Sequence, residues 1–303
     1  MAEMDGSGMR KTAAMIAALA LSVTAVLAQN GLTISELLYQ PKSGEAEYVE
    51  LYNNGSQPVE LADYHIVRWV GDSLGKHYAL PQLTVPARGY VVLTKDAASV
   101  ETHYDVARRE LLVECALPTY PNDGGSVVLA TVDSMVVDRL DYSPAMHSRL
   151  LRNKAGVALE RRSFERQTND PANWFSAAST AGYGTPTGPN SQSTEWLAEE
   201  VSFTLSSTLL SPDGDGYQDA VVMEYTLEEG DLMASMLIYD AAGRKVRRLL
   251  NNALLGTHGS VEWDGRDDGG KQVPRGCYVL DITLYGLHGT QQTMRRTISV
   301  VAR

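Results

Sequence analysis

The sequence lacks the residues on which crosslinked proteins and many enzymes depend. Its 303 residues include only two cysteines, Cys115 and Cys277, which excludes a disulfide framework, and we expect both thiols to be buried as small hydrophobic groups. The six histidines are dispersed, with no pair at i, i+4 and no zinc-protease motif. There is no P-loop, no Gly-x-Ser-x-Gly elbow and no dinucleotide-binding glycine motif. These absences predict a protein that is not an enzyme.

Positive charge is also scarce. The formal net charge is -11 and the isoelectric point is about 5.0, and the few arginine pairs are isolated from one another. Nucleic acids and anionic membrane surfaces attract proteins through clustered Lys and Arg. We therefore expect no nucleic-acid partner.

The N-terminus has the pattern of a secretory signal. Arg10 and Lys11 precede an apolar run that ends at Leu27, and small residues flank the expected cleavage position. We predict a signal peptide over residues 1–28, with Met9 as the start of translation. The sequence thus predicts an exported protein, in the periplasm, at the outer-membrane surface or outside the cell, with no membrane span after cleavage.

The remaining chain alternates apolar and polar residues with period two, which is typical of short strands. Turn signals rich in Asn, Asp and Gly separate the runs, as in a sandwich or barrel. Helical turns are expected only near residues 97–104 and 106–113. The predicted class is all-β, and a stretch rich in Gly, Pro, Ser and Thr suggests a linker between two domains. We place domains at residues 29–185 and 204–303, joined by a linker at residues 186–203.

The first domain carries a series of ordered motifs. They are Ile34-Ser35-Glu36-Leu37 in the first strand, the block EYVELYN at residues 47–53, and Leu159-Glu160-Arg161 ahead of Trp174. With these motifs the segment resembles the lamin-tail domain, an immunoglobulin-like β-sandwich, in the form found in secreted proteins of Bacteroidetes-type bacteria. The resemblance implies a binding or architectural module.

The block at residues 47–53 also has a physical interpretation. Tyr48, Glu50 and Tyr52 fall on one face of a strand and Val49 and Leu51 on the other, which predicts a strand with one buried face. Functional roles for Glu50 and Asn53 stay open, but we favour capping or closure of the turn that follows.

The second domain has its own motif order: SPDGDG, then IYDAAGRKV, then WDG, then VPRGCYV. This order resembles the FlgD-like immunoglobulin-like module of flagellar-hook capping proteins and the C-terminal modules of gliding-associated and type IX-secreted bacterial proteins. Together, the two resemblances imply two immunoglobulin-like β-sandwich domains in tandem.

The SPDGDG loop raises the question of a metal. Asp213, Asp215 and Asp219 place hard oxygens around glycines that let the backbone wrap tightly, as calcium requires. Glu224 occupies the twelfth position, as in an EF-hand, but Gln218 stands where an EF-hand needs glycine and a strand follows. We predict a structural Ca²⁺ site, and the alternative is a metal-free Asp-Gly turn.

Two hypotheses of function follow. The first is an exported, non-catalytic protein that binds a protein partner at the cell envelope or surface, with a link to type IX secretion. The second is a secreted hydrolase, or an accessory subunit of one, acting on nucleic acid, protein or glycan. Carbohydrate binding through Tyr64, Trp69 and Tyr78 is a third candidate. The oligomeric state is not indicated.

Overall fold

The computed structural model describes residues 31–287, 289 and 291–301, so the predicted signal peptide lies outside the described residues. Strands dominate the described chain, and the predicted all-β class is confirmed. The α-helix α1 spans Ala97–His103, within the range where the sequence predicts a helical turn. Among the described residues, no helix is long and apolar enough to cross a membrane.

The first domain contains fourteen strands among the described residues. They are β1 Leu32–Leu38, β2 Tyr48–Asn53, β3 Val59–Glu60, β4 Tyr64–Val67, β5 Trp69–Val70, β6 Ser73–Leu74, β7 Tyr78–Ala79, β8 Thr84–Val85, β9 Tyr90–Thr94, β10 Leu112–Glu114, β11 Gly125–Thr131, β12 Val136–Tyr142, β13 Leu159–Arg161 and β14 Trp174–Ser176. One sheet has the order β10-β9-β2-β1-β13-β14, and a second has the order β12-β11-β4-β7.

These two sheets pack face to face as an immunoglobulin-like β-sandwich. The apolar core between them takes Ile34 and Leu51 from the six-stranded sheet and Ile66 and Leu129 from the four-stranded sheet, all fully buried. Trp174 is also in this cluster. Burial of such side chains contributes about 1.5–3 kcal/mol each, so this core dominates the stability of the domain.

The outer face of the six-stranded sheet is covered as well. Every residue of β1 and β2 is buried, and a second apolar cluster lies on this outer face around Tyr48, Val92 and Val100. The prediction that the strand at residues 48–52 has only one buried face is therefore wrong. Alternation along one strand could not show that α1 and a later part of the chain cover its second face.

The second domain is a separate sandwich with its own core. Its strands are β15 Ser202–Leu205, β16 Leu209–Leu210, β17 Val221–Thr226, β18 Met233–Asp240, β19 Lys245–Leu254, β20 His258–Trp263, β21 Gly276–Tyr285 and β22 Gln291–Val300. A three-stranded sheet, β15-β17-β20, faces a five-stranded sheet, β16-β22-β21-β18-β19. Met223, Ile238 and Trp263 are among the buried side chains between them.

The two cysteines differ in environment. Cys115 is half-buried against the first core, and burial raises its pKa to about 11. Cys277 is exposed in β21, so the expectation that both thiols are buried is wrong for this residue. Its side chain lies on the outward face of an alternating strand, a position that the alternation of β21 itself indicates.

The first half of the chain between the two sandwiches is mostly buried. Within residues 186–193, seven of eight side chains are buried, although the composition suggested a segment with little to bury. Hydrogen bonds join this segment to the second domain: Thr257 N donates to Ser191 O at 2.8 Å, and Gln192 Nε2 donates to Leu255 O at 2.9 Å. The placement of the linker at residues 186–203 stays a prediction. Its first half is an ordered joint with contacts on both sides.

We predict that Gly256→Ala weakens this joint. A Cβ at Gly256 would lie 2.6 Å from Ser191 O, so the backbone of one domain must shift away from the other. Overpacking of this kind costs about 1–3 kcal/mol. Calorimetry should show a lower unfolding temperature, and small-angle X-ray scattering should show a larger radius of gyration.

Gly188→Ala provides the matched control. It makes the same substitution in the joint, but there the nearest atom to the new Cβ is 3.4 Å away, an ordinary contact. If Gly256→Ala and Gly188→Ala behave alike in both measurements, the close approach at Ser191 does not hold the domains together.

Candidate sites in the aspartate loop and the buried glutamate row

The aspartate loop lies between β16 and β17 and contains the three predicted metal ligands. Gly214 and Gly216 have φ angles of +81° and +86°, which bend the backbone back on itself in a region that suits glycine. One carboxylate oxygen from each of Asp213, Asp215 and Asp219 lies within 4.8 Å of the others. The structure therefore brings together the three residues that the sequence singled out.

Hydrogen bonds within the loop account for much of this geometry. Asp219 accepts from Gly214 N and Gly216 N, both at 2.7 Å, one with each carboxylate oxygen. Asp213 Oδ1 accepts from Asp215 N at 3.2 Å, and Asp215 Oδ1 accepts from Tyr217 N at 2.8 Å. This is the pattern of Asx turns, in which a side chain replaces a backbone acceptor.

The donor set fits a hard cation, because three carboxylates offer oxygens of the type that Ca²⁺ prefers. Asp213 and Asp215 are exposed and Asp219 is half-buried, so an ion could enter from solvent. Glu224 lies within β17 as an exposed residue and is not part of the cluster. The loop thus lacks the EF-hand arrangement, and calcium binding stays a prediction.

A second cluster of carboxylates lies inside the first domain. Glu50 on β2, Glu36 on β1 and Glu160 on β13 occupy opposed positions on three adjacent strands, so they form a row across the sheet. All three are fully buried, on the outer face that the later chain covers. We call these three residues the glutamate row.

The covering segment at residues 185–192 supplies hydrogen-bond donors to the row. Glu160 Oε2 accepts from Ser191 Oγ at 2.7 Å and from Gln192 N at 2.9 Å. Glu50 Oε2 accepts from Thr187 N at 2.7 Å. Backbone and hydroxyl groups, not a cation, therefore supply the partners of these carboxylates, and the polar composition of this segment is what makes it a suitable cover. Among the described residues, Glu50 Oε1 is the one oxygen of the row left without a hydrogen-bond partner.

Glu36 shares a hydroxyl group with Glu160. Thr185 Oγ1 lies 2.8 Å from Glu36 Oε2 and 3.0 Å from Glu160 Oε1. A hydroxyl has one proton and can donate to only one of these oxygens. The other contact is a hydrogen bond only if that carboxyl group carries a proton and donates to Thr185. The geometry thus favours one neutral acid in the pair.

Electrostatics identify Glu36 as the protonated member. Burial, and then the neighbouring charge of Glu160, raise the pKa of Glu36 to about 8. Burial also raises the pKa of Glu160, but hydrogen bonds from Ser191, Thr185 and Gln192 oppose this shift by stabilising its ionised form. Burial raises the pKa of Glu50 well above its usual value.

This arrangement can store a proton and hold the covering segment. Because all three carboxylates are fully buried, a substrate in solution does not reach them in this conformation. Glu50 lies in mid-strand, so the expectation that it caps a turn is wrong. Asn53 does close the turn as expected: its Oδ1 accepts from Gly55 N, and its Nδ2 donates to Gln57 O.

Sequence analysis missed the row, although its members stand in the motifs that carry the lamin-tail resemblance. A possible signal was one glutamate in each of three apolar strands, at Glu36, Glu50 and Glu160. Their alignment depends on strand register, including a bulge between Ile34 and Glu36. A single sequence does not give that register.

We predict that the glutamate row makes the protein less stable as pH rises. The pKa of Glu36 is about 8 in the folded chain and 4.5 for a free glutamate, so the folded state binds more protons between these values. The contribution of Glu36 to the free energy of unfolding is fully present below about pH 4.5 and is lost as pH rises through 8. Urea unfolding of Glu36→Gln should show a weaker decline over this range, because the amide mimics the neutral acid.

The control for this prediction is Glu110→Gln, which alters an exposed glutamate. It should follow the wild-type pH dependence. An unchanged slope in Glu36→Gln would mean that Glu36 is ionised in the folded protein and that Thr185 bonds to only one carboxylate.

For the aspartate loop we predict that Ca²⁺ raises the melting temperature of the chain from residue 29 to residue 303. A ligand that binds only the folded state, at a hundredfold excess over its dissociation constant, adds about 2.7 kcal/mol. The double variant Asp213→Ala, Asp215→Ala should not respond to calcium, as followed by differential scanning fluorimetry with and without chelator.

Asp267→Ala is a matched control, because Asp267 closes another turn of the same domain by accepting from Gly269 N and Lys271 N. This variant should keep the calcium response. A wild-type melting temperature that is the same with calcium and with chelator would leave the aspartates as turn-forming residues alone.

Comparison with known proteins supports the assignment of the first domain. Residues 26–144 match the family model of the Lamin Tail Domain, which confirms that part of the predicted resemblance. The match ends before β13, so Glu160 and the covering segment lie beyond it. No curated protein sequence matches the chain. The predicted FlgD-like resemblance of the second domain stays a prediction.

Several solved structures share local similarity with the chain. Dimeric latent PorU from Porphyromonas gingivalis is 11% identical over 91% of this chain and 20% of its own, with a TM-score of 0.27. PorZ, a surface component of the type IX secretion system of the same organism, is 14% identical over 59% of this chain and 21% of its own, with a TM-score of 0.23. CopC from Methylosinus trichosporium OB3b is 16% identical over 28% of this chain and 78% of its own, with a TM-score of 0.20.

The chain thus spans about a fifth of PorU and of PorZ. Scores this low carry no argument about fold or function. The conclusion that does hold is that the described chain forms immunoglobulin-like β-sandwiches, and that residues 26–144, in the first of them, match the family model of the Lamin Tail Domain.

Proposed function

We propose that this protein is an exported, non-catalytic β-sandwich protein that acts as a binding or structural module at the cell envelope or surface. The observation that carries the proposal is the joint between the domains. Ser191 and Gln192 contact the glutamate row on one side and Thr257 and Leu255 on the other. A molecule that holds two sandwiches in a fixed relation presents both outer surfaces together to a partner.

Further contacts strengthen this joint. Ser179 Oγ donates to Leu254 O at 2.9 Å, and the hydroxyls of Thr180 and Tyr225 lie 2.9 Å apart. Such hydrogen bonds add about 0.5–1.5 kcal/mol each, so several in one region disfavour independent motion of the two domains. This supports a structural or presenting role over that of a flexible tether.

Three finer points belong to the same proposal. The protein partner resides at the envelope or surface. A structural Ca²⁺ ion is held by Asp213, Asp215 and Asp219. The link to type IX secretion rests on the resemblance of the second domain to C-terminal modules of proteins secreted by that route, together with the signal peptide predicted from the sequence.

The alternative is a secreted hydrolase, or an accessory subunit of one, and the glutamate row bears on it. Pairs of carboxylates carry out glycoside hydrolysis when they flank a substrate. Here the carboxylates are covered by Thr185, Thr187 and Ser191, which favours the non-catalytic proposal. Two of the three aromatic residues suggested for carbohydrate binding are also engaged, since Arg139 stacks on Trp69 and Lys76 lies over Tyr78.

We expect the full-length protein, expressed in a Bacteroidetes host, to appear in envelope or extracellular fractions, and to lose export when residues 1–28 are deleted. The purified chain from residue 29 should leave nucleic acid, protein and glycan substrates intact. Fractionation with immunoblotting checks the first expectation, and an activity panel checks the second.

A hydrolytic activity that disappears in Glu36→Gln or Glu160→Gln would replace the proposal with the enzyme hypothesis. Retention of the full-length chain in the cytoplasm would contradict export, whatever the outcome of the activity panel. The two results therefore separate the catalytic part of the proposal from its cellular part.

A further inference from the structure

Two histidines that are twelve positions apart in the sequence lie in contact on the outer face of the four-stranded sheet. The Nδ1 atoms of His65 and His77 lie 3.2 Å apart, with the rings at 85° to one another. His65 is in β4, and His77 directly precedes the short edge strand β7. The sequence does not indicate a histidine pair, because the two residues are twelve positions apart.

The pairing of β4 with β7 places the two histidines next to each other. His65 pairs with Ala79 and Ile66 with Tyr78 in the antiparallel ladder between β4 and β7. Side chains alternate between the faces of a sheet, so His77 and Ala79 lie on the same face as His65. The two histidines are therefore diagonal neighbours, and residues at this spacing can reach one another with long or aromatic side chains.

The contact between the two nitrogens needs an electropositive atom between them. Two lone pairs at 3.2 Å repel, and two Nδ1–H groups would collide. The contact forms when one Nδ1 carries a hydrogen and the other accepts it, or when both lone pairs face a shared metal ion. Both side chains are half-buried, so solvent and dissolved ions reach them.

The spacing of the two nitrogens suits a metal. Imidazole nitrogen binds Zn²⁺ at about 2.0–2.1 Å, and two such bonds with nitrogens 3.2 Å apart enclose an angle of about 100°. This lies between the angles of square-planar and tetrahedral coordination, which Cu²⁺ and Zn²⁺ prefer. A modest rotation of the half-buried rings would turn both lone pairs toward the ion.

We propose that His65 and His77 form a binding site for a divalent late transition metal ion, with water in the remaining positions. Imidazole is a borderline ligand that suits zinc, copper and nickel, so the site would not compete for Ca²⁺. The bound ion would fasten the two-residue edge strand β7 to β4. The site is independent of the aspartate loop, which belongs to the second domain.

The test is isothermal titration of Zn²⁺ into the chain from residue 29, with excess Ca²⁺ present to occupy carboxylate sites. Wild type should bind one more equivalent than His65→Asn or His77→Asn. His103→Asn is the matched control, because His103 is an exposed histidine of α1 whose Nδ1 contacts the backbone oxygen of Ser99, and it should bind as wild type does.

A second measurement on wild type avoids any dependence on the variants. Nitrogen-15 NMR of the imidazoles should show Zn²⁺ shifting the Nδ1 resonances of His65 and His77 together, with His103 unchanged. Equal zinc uptake by wild type, His65→Asn and His77→Asn, or an unshifted pair of Nδ1 resonances, would overturn the proposal and leave only a hydrogen bond between the two imidazoles.

Discussion

The burial of three carboxylates in one row is the constraint on which much of the first domain depends. A buried acid without hydrogen-bond partners costs several kcal/mol, and three neighbouring acids also repel one another when ionised. The chain offsets much of this cost with donors from residues 185–192 and with a proton on Glu36, and it leaves Glu50 Oε1 without a partner among the described residues. An apolar cover could not do this, which explains why a segment rich in Thr, Ser and Gly packs against the middle of a sheet.

Two residues of the covering segment, Ser191 and Gln192, also connect the two domains. Ser191 donates its hydroxyl to Glu160 while its backbone oxygen accepts from Thr257 of the second domain. Gln192 donates its backbone N–H to Glu160 and its side-chain amide to Leu255 O. Two consecutive residues thus connect a buried acid in one sandwich to the backbone of the other. Hydrogen bonds to Glu160 hold these two residues against the first domain, and the second domain bonds to them in that position.

The sequence predicts the class of the fold well, because that class depends on local alternation and turn chemistry. The strands of the second domain follow period two closely, and the turn at Asn53 is closed by the side chain that the sequence identifies. The sandwich interior around Trp174 was also foreseeable, since large aromatics are seldom left in solvent when strands surround them.

What the sequence did not predict depends on register and on distant segments. Glu36, Glu50 and Glu160 align only after three strands pair with a bulge, and His65 meets His77 only across a ladder. The polar composition of residues 186–193 is typical of an exposed linker, but in the structure most of this segment is buried. Its polar groups bond to the buried glutamates, which the composition does not reveal. By contrast, Asp213, Asp215 and Asp219 are close in the chain, and their clustering was predictable.

The joint also has a consequence for how this domain could be moved between proteins. A fragment that stopped at residue 144, where the family match ends, would lack β13 and one acid of the row. A fragment that stopped at residue 185 would keep all three acids but lose the donors from Thr187, Ser191 and Gln192. We therefore expect the smallest self-sufficient unit to extend to about residue 193, and recombination or expression boundaries chosen from composition would cut through its interior.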